Sequence, residues 1–195
     1  MTDAHQERLI YCLSCGEEVP TYTVDQGAQV EVRCTYCGLP LEVAQRASDT
    51  SLECIIFADD DPFFRELLHK ILETGRLARE VIACESGPAL LTACVYRFRD
   101  QLPINLAILD IRMTPMDGPT AAVALRALEA GFDIPDPTPV LFLSAIRADE
   151  TLRKLLSNAV PAFYLNKAAD AGPNQLAERL KALMPRLILP QASQG

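Results

Sequence analysis

From residue 54 onward the chain alternates short apolar runs with segments whose apolar residues repeat at helical spacing. The apolar runs are typical of strands buried on both faces, and they are Cys54–Ala58, Val81–Cys84, Leu106–Leu109, Val140–Leu143 and Ala162–Leu165. The helical segments are Phe64–Leu72, Leu90–Phe98, about Thr120–Leu128, Asp149–Leu156 and a stretch that Pro173 opens. This alternation predicts an α/β fold, a doubly wound five-stranded parallel sheet with helices on both faces.

Polar side chains stand where four of these strands end. They are Asp59, Asp60 and Asp61 after the first strand, Asp110 after the third, Ser144 after the fourth and Lys167 after the fifth. Each has an ordinary interpretation by itself, as a solvated loop, helix start, strand exit, cap or surface charge. The carboxyl ends of parallel strands converge in a doubly wound sheet, so the groups are expected to share one crevice. Carboxylates there suit Mg²⁺, and a hydroxyl and an ammonium suit phosphoryl oxygens.

Residues 53–188 resemble the receiver domain of bacterial two-component response regulators. The resemblance rests on four motifs in the expected order, Ile55–Pro62, Leu109–Gly118, Val140–Ala145 and Tyr164–Lys167. It implies the flavodoxin-like receiver fold and a set of residue roles. In these roles Asp110 is the phosphoacceptor and Tyr164 is a switch residue. The Mg²⁺ ligands are Asp59, Asp60, Asp110 and the backbone carbonyl of Arg112. The phosphoryl oxygens are held by Ser144 and Lys167.

Three positions depart from the pattern of that family. Ala168 follows Lys167, where the family usually has proline, and Thr114 stands where proline is common, with Pro115 shifted by one. Val160-Pro161 replaces the usual glycine ahead of the fifth strand. These departures concern loop geometry and the switch, because none of them removes a group of the predicted site.

The first forty residues carry a different signal, two CxxCG motifs with 18 residues between Cys15 and Cys34. Their cysteines are Cys12, Cys15, Cys34 and Cys37. The spacing resembles a zinc ribbon with a structural Zn²⁺, and the glycine after each motif permits the positive φ of a tight turn. A redox dithiol or free thiols remain alternatives, and His5 is expected to be a bystander. The predicted domains are a ribbon at 1–43, a linker at 44–52, a receiver at 53–188 and a tail at 189–195.

Charge and cysteine usage narrow the function classes. The chain has a net charge of −8, and residues 1–50, with eight acidic and three basic residues, contribute −5. A nucleic-acid or membrane-surface partner needs clustered Lys and Arg, so both are disfavoured. No signal peptide or transmembrane run is visible, which predicts a cytoplasmic protein. Cys54, Cys84 and Cys94 lie in apolar segments and are expected to be buried hydrophobes.

These features predict a phosphorylation-controlled signalling module, a phosphoacceptor and not an enzyme in the ordinary sense. No recognisable output domain follows the receiver, so its effect is expected to pass through protein contacts. The expected partners are a sensor histidine kinase or phosphotransfer protein, an unknown downstream protein, and a second copy through the last helix face. A phosphorylation-independent scaffold and a zinc-ribbon nucleic-acid regulator are the alternatives. Ribbon and receiver are expected to have separate cores.

Overall fold

A computed structural model describes residues 9–25, 30–41, 52–145, 149–167 and 173–188. His5, Ala168, nearly all of the predicted linker and the predicted tail lie outside these residues. Within the described part of the chain, no helix is both long and apolar enough to cross a membrane.

The main sheet has five parallel strands in the order β6-β5-β7-β8-β9. In chain order its strands and the helices between them are β5 (Leu52–Ala58), α1 (Pro62–Thr74), β6 (Ala78–Cys84), α2 (Gly87–Arg99), β7 (Leu106–Asp110), α3 (Gly118–Gly131), β8 (Val140–Ser144), α4 (Glu150–Asn158), β9 (Ala162–Asn166) and α5 (Pro173–Ile188). The predicted fold class is therefore confirmed. The sheet is flavodoxin-like, and β5 and β7, whose ends carry the acidic residues, are neighbours.

Side chains of β5 alternate between two apolar cores, one on each side of the sheet. Ile55 and Phe57 belong to the core under α1 and α5, whereas Ile56 and Ala58 belong to the core under α2 and α3. The central strands β7 and β8 are buried along their whole length because helices cover both faces of the sheet.

Aspartates begin three of the helices. Asp61 accepts a hydrogen bond from the backbone N–H of Phe63 at 2.9 Å, and Pro62 occupies the first turn of α1. Asp117 and Asp149 cap α3 and α4 in the same way. Asp61 is thus a helix cap, which is a common role for an aspartate directly before a helix. It fixes the residue at which the acidic loop ends and α1 begins.

The ribbon consists of two antiparallel hairpins. One pairs β1 (Ile10–Cys12) with β2 (Glu17–Val19), and the other pairs β3 (Thr21–Asp25) with β4 (Val30–Cys34). The alternating apolar residues Val19, Tyr22, Val24, Val30 and Val32 lie in β2, β3 and β4.

The described residues of the ribbon, 9–25 and 30–41, do not have a core of their own, and the prediction of two separate cores is wrong. Cys12, Val19 and Leu39 are buried in the same apolar cluster as Leu165 of β9 and Leu180 of α5. About thirty described residues in short strands bury too little surface to make a core alone, so the ribbon shares that of the larger domain.

The three scattered cysteines are buried hydrophobes, as predicted. Cys54 and Cys94 are fully buried and Cys84 nearly so. Burial raises the pKa of Cys54 and of Cys84 to about 11 and that of Cys94 to about 12. Thiols in this state are poor nucleophiles and weak metal ligands at neutral pH.

Candidate functional site

Three carboxylates meet at the ends of β5 and β7 and form what we call the acidic crevice, Asp59, Asp60 and Asp110. One oxygen from each lies within 4.8 Å of the others. Asp59 and Asp110 are buried, whereas Asp60 is exposed at the rim. Three acidic oxygens at this spacing fit a hard divalent cation, which completes its coordination with water.

Lys167, just beyond the end of β9, bridges the two buried carboxylates. Its Nζ lies 3.0 Å from Oδ2 of Asp59 and 3.2 Å from Oδ1 of Asp110. The ammonium also lies 4.3 Å from the centroid of the Phe64 ring, a cation–π contact that limits its motion. The predicted convergence of strand ends thus brings this lysine to the acidic crevice.

The electrostatics of Asp110 favour a bound cation. Burial raises the pKa of Asp110, Lys167 lowers it, and the charge of Asp59 raises it again. The net direction is upward, because the cost of burying the charged carboxylate outweighs the attraction of Lys167. A divalent cation in the acidic crevice would reverse this balance by favouring the ionised form.

Ser144 and Arg112 lie where the sequence places them, next to this crevice. Ser144 ends β8 and is buried, and its carbonyl accepts the backbone N–H of Lys167 at 2.8 Å. Arg112 lies on the loop after β7, where its backbone N–H lowers the pKa of Asp110. Its side chain is exposed, so the backbone is the part of this residue that faces the acidic crevice.

Two contacts of the acidic crevice were not predicted from the sequence. Both the backbone N–H and the Oγ1 of Thr114 donate to Oδ2 of Asp60, at 3.0 and 3.2 Å. Arg65 on α1 donates to the backbone carbonyl of Asp59 at 2.7 Å. Neither contact has a sequence signal, because a threonine in a loop and an arginine on a helix are ordinary there.

Gly118, at the start of α3, leaves room for the backbone of the phosphoacceptor candidate. A Cβ at this position would lie far inside van der Waals contact with the carbonyl oxygen of Asp110. We therefore expect Gly118→Ala to destabilise the protein by at least about 2 kcal/mol, because the backbone of either segment must move. Gly131→Ala, at the other end of α3 where a Cβ meets nothing within 4 Å, is the control. Urea unfolding of both variants tests this, and equal stabilities would contradict it.

The four cysteines of the ribbon form a second candidate site. Sγ of Cys12 lies 3.7 Å from that of Cys37, and Sγ of Cys15 lies 3.8 Å from that of Cys34. A tetrahedron with Zn–S bonds of about 2.3 Å has edges of about 3.8 Å, so this arrangement fits Zn²⁺.

The backbone of each CxxC turn supports that arrangement. Gly16 and Gly38 have φ of 74° and 77°, the left-handed conformation expected from the sequence. The N–H groups of Cys15 and Cys37 point at the sulfurs of Cys12 and Cys34. Hydrogen bonds of this kind stabilise thiolates, the form that binds metal.

Tyr164 lies in β9 beneath the ribbon. It is 2% exposed, and its backbone carbonyl accepts a hydrogen bond from Oγ of Ser14. Burial raises the pKa of its phenol well above the ordinary value. The position agrees with a buried core tyrosine, and its role as a switch stays a prediction.

The fold and the acidic crevice together define a class of protein, an α/β domain with a cluster of carboxylates at the carboxyl ends of its parallel strands. Residues 55–181 match the family model described as "Response regulator receiver domain". The match covers more than half of the chain, so the protein belongs to the response regulator receiver family.

Two curated relatives show the same domain within longer proteins. The transcriptional regulatory protein AruR of Pseudomonas aeruginosa is 31% identical over 145 residues, which is 72% of this chain and 53% of AruR. The probable transcriptional regulatory protein NarL of Mycobacterium tuberculosis is 31% identical over 111 residues, which is 57% of this chain and 46% of NarL. The chain spans about half the length of these relatives.

A solved structure supports the fold. The receiver domain of the histidine kinase CKI1 from Arabidopsis thaliana, in complex with Mg²⁺ and BeF₃⁻, gives a TM-score of 0.55 at 20% sequence identity. The alignment covers 66% of this chain and 87% of that domain.

Proposed function

We propose that the protein is a phosphorylation-controlled signalling module that accepts a phosphoryl group on Asp110. The observation that carries this proposal is the position of Lys167, whose Nζ contacts both Asp59 and Asp110. In the reaction, a carboxylate oxygen of Asp110 forms a bond to phosphorus while the bond from phosphorus to the donor breaks. The donor keeps the electron pair of that bond, and Asp110 becomes an acyl phosphate.

The acidic crevice would hold the metal that this reaction needs. The proposed ligands are the carboxylates of Asp59, Asp60 and Asp110 and the backbone carbonyl of Arg112. Mg²⁺ bound there supplies positive charge for the phosphoryl oxygens and favours the ionised form of Asp110. The CKI1 receiver, with Mg²⁺ and BeF₃⁻ bound in the same fold, supports this assignment.

Ser144 and Lys167 would hold the remaining phosphoryl oxygens. The ammonium now pairs with two carboxylates, and after transfer a phosphoryl oxygen takes over part of that pairing. The movement of these two side chains is the proposed start of the signal, and Tyr164, three residues before Lys167, is the proposed switch residue.

The phosphoryl donor would be a histidine kinase or a phosphotransfer protein in the cytoplasm, and output would pass through protein contacts. A second copy of the chain, bound through the face of α5, stays among the proposed partners. The relatives AruR and NarL are transcriptional regulators by name, but the acidic charge of residues 1–50 opposes direct DNA binding by the ribbon. A phosphorylation-independent scaffold is the remaining alternative.

We expect acetyl phosphate with Mg²⁺ to label the protein once, and Asp110→Asn to abolish the label because the amide lacks the attacking carboxylate oxygen. Intact-mass spectrometry and peptide mapping measure both. Asp117→Asn is the matched control, since Asp117 caps α3 close by and asparagine caps about as well. Absence of a label on the unmodified protein would favour the scaffold, and a label that persists in Asp110→Asn would place the acceptor elsewhere.

A further inference from the structure

The receiver holds the ribbon by the two segments that present the cysteines. The first knuckle, Cys12–Cys15, contains Leu13 and Ser14, and the carbonyls of both accept hydrogen bonds from Arg179 of α5 at 2.7 Å. The second knuckle, Cys34–Cys37, contains Thr35 and Tyr36, whose carbonyls accept from Arg153 of α4.

The first knuckle also adds to the edge of the main sheet. The backbone N–H of Asn166 in β9 donates to the carbonyl of Ser14 at 2.8 Å, and Oγ of Ser14 donates to the carbonyl of Tyr164. Ser14 therefore pairs with β9 much as one residue of a further strand would.

Both arginines carry charge that suits a metal-loaded ribbon. Arg179 is 4% exposed, and burial of a guanidinium is costly unless it has hydrogen bonds and a nearby negative charge. Four thiolates around Zn²⁺ have a net charge of about −2. The interface formed by α4, β9 and α5 is therefore complementary to the knuckles in their metal-bound form.

One peptide group connects this interface to the acidic crevice. The carbonyl of Asn166 accepts from Nη1 of Arg179 at 2.9 Å, on the ribbon side of β9. The N–H of the same peptide group, which belongs to Lys167, donates to the carbonyl of Ser144 at 2.8 Å. This single peptide group therefore bonds to Ser144 on one side and to Arg179, which holds the first knuckle, on the other, and its N–H belongs to Lys167.

The geometry points to a coupled pair of sites, in which the ribbon is the receiver's own binding partner and its affinity for Zn²⁺ depends on the state of Asp110. This inference rests on the proposed function, since it names the surface through which the phosphoryl group acts. A phosphoryl group on Asp110 takes over part of the pairing of the Lys167 ammonium and engages Ser144, which moves the peptide group between Asn166 and Lys167. The carbonyl of Asn166 then shifts away from Arg179, and the hold on Leu13 and Ser14 weakens.

Linkage makes the effect reciprocal. If the phosphorylated state holds the first knuckle less well, it also binds Zn²⁺ less well, and loading with Zn²⁺ favours the unphosphorylated state by the same factor. Couplings of this kind between two sites usually amount to about 5-fold to 150-fold in affinity.

The test is the rate at which the full chain releases Zn²⁺ to a chromophoric chelator, with and without beryllofluoride and Mg²⁺. Fluorine NMR of the same samples shows whether beryllofluoride is bound. We expect release to be at least about fivefold faster with beryllofluoride bound, because differences in affinity between related complexes lie mostly in the dissociation rate. Asp110→Asn, which cannot bind it, should give the same rate under both conditions.

Two further variants separate coupling from mere docking. Arg179→Lys keeps the charge but loses the planar fork that reaches several carbonyls, so the difference in release rate should disappear. Arg153→Ala removes the contact with the second knuckle, which is not joined to the shared peptide group, so the difference should persist.

The outcomes are distinct. Bound beryllofluoride with an unchanged or slower release overturns the coupling and leaves the phosphoacceptor function standing. Absence of bound beryllofluoride in the unmodified protein overturns the proposed function itself, and the coupling with it.

Discussion

Cys34→Ser, or removal of metal by a chelator, is expected to unfold the ribbon. Structural zinc contributes about 10–16 kcal/mol in small zinc peptides, and the part of the ribbon that the structure describes has no separate apolar core to replace that contribution. Amide hydrogen exchange of residues 10–41 should rise toward that of an unfolded chain, and metal analysis should find less than one Zn²⁺ per chain.

The receiver is expected to lose stability with it. Cys12, Val19 and Leu39 lie in the cluster that α5 and β9 share, so unfolding of the ribbon uncovers apolar surface on the larger domain. A loss of about 2 kcal/mol would lower Tm by about 4–8 °C in a chain of this size.

Cys84→Ala is the matched control, because it removes a cysteine from the far side of the sheet and leaves the ribbon intact. It should retain one Zn²⁺ per chain. If the chelated protein keeps the amide protection of its ribbon, the cysteines do not serve as a structural metal site.

Arg179→Ala is expected to destabilise the folded protein by about 3–5 kcal/mol. Its guanidinium donates to the carbonyls of Leu13, Ser14 and Asn166, and each buried carbonyl left without a partner costs about 1–3 kcal/mol. The loss of the side chain also leaves a cavity between α5 and the first knuckle. Unfolding by urea, followed by circular dichroism, measures the change.

The control for this variant is Lys181→Ala, two residues further along α5 and exposed. Exposed substitutions away from special features change stability by no more than about 0.5 kcal/mol. A loss below about 1 kcal/mol in Arg179→Ala would mean that water replaces the arginine, and that the contact does not fix the ribbon in place.

The fold and most of the acidic crevice could be predicted from the sequence because they depend on periodic and positional signals. A buried parallel strand is apolar along its length, and its carboxyl end lies at the same edge of the sheet as its neighbours' ends. Asp59, Asp110 and Lys167 therefore converge whatever the details of the loops.

The contact between ribbon and receiver could not be predicted in this way. Arg153 and Arg179 lie on amphipathic helices, where an arginine usually faces solvent, and both donate to backbone carbonyls that any residue type supplies. A contact between a side chain and a distant backbone carbonyl requires no particular residue type or spacing at the carbonyl, so the sequence carries no pattern that predicts it.

The two edges of the main sheet are protected against pairing with other molecules in different ways. At one edge, β6 carries exposed charged residues, Arg79 and Glu80, which disfavour the approach of another strand. At the other edge, Ser14 pairs with the backbone N–H of Asn166 and the carbonyl of Tyr164 in β9. A chain whose ribbon is undocked would leave these two groups of β9 open to another strand, so we expect such a chain to aggregate more readily.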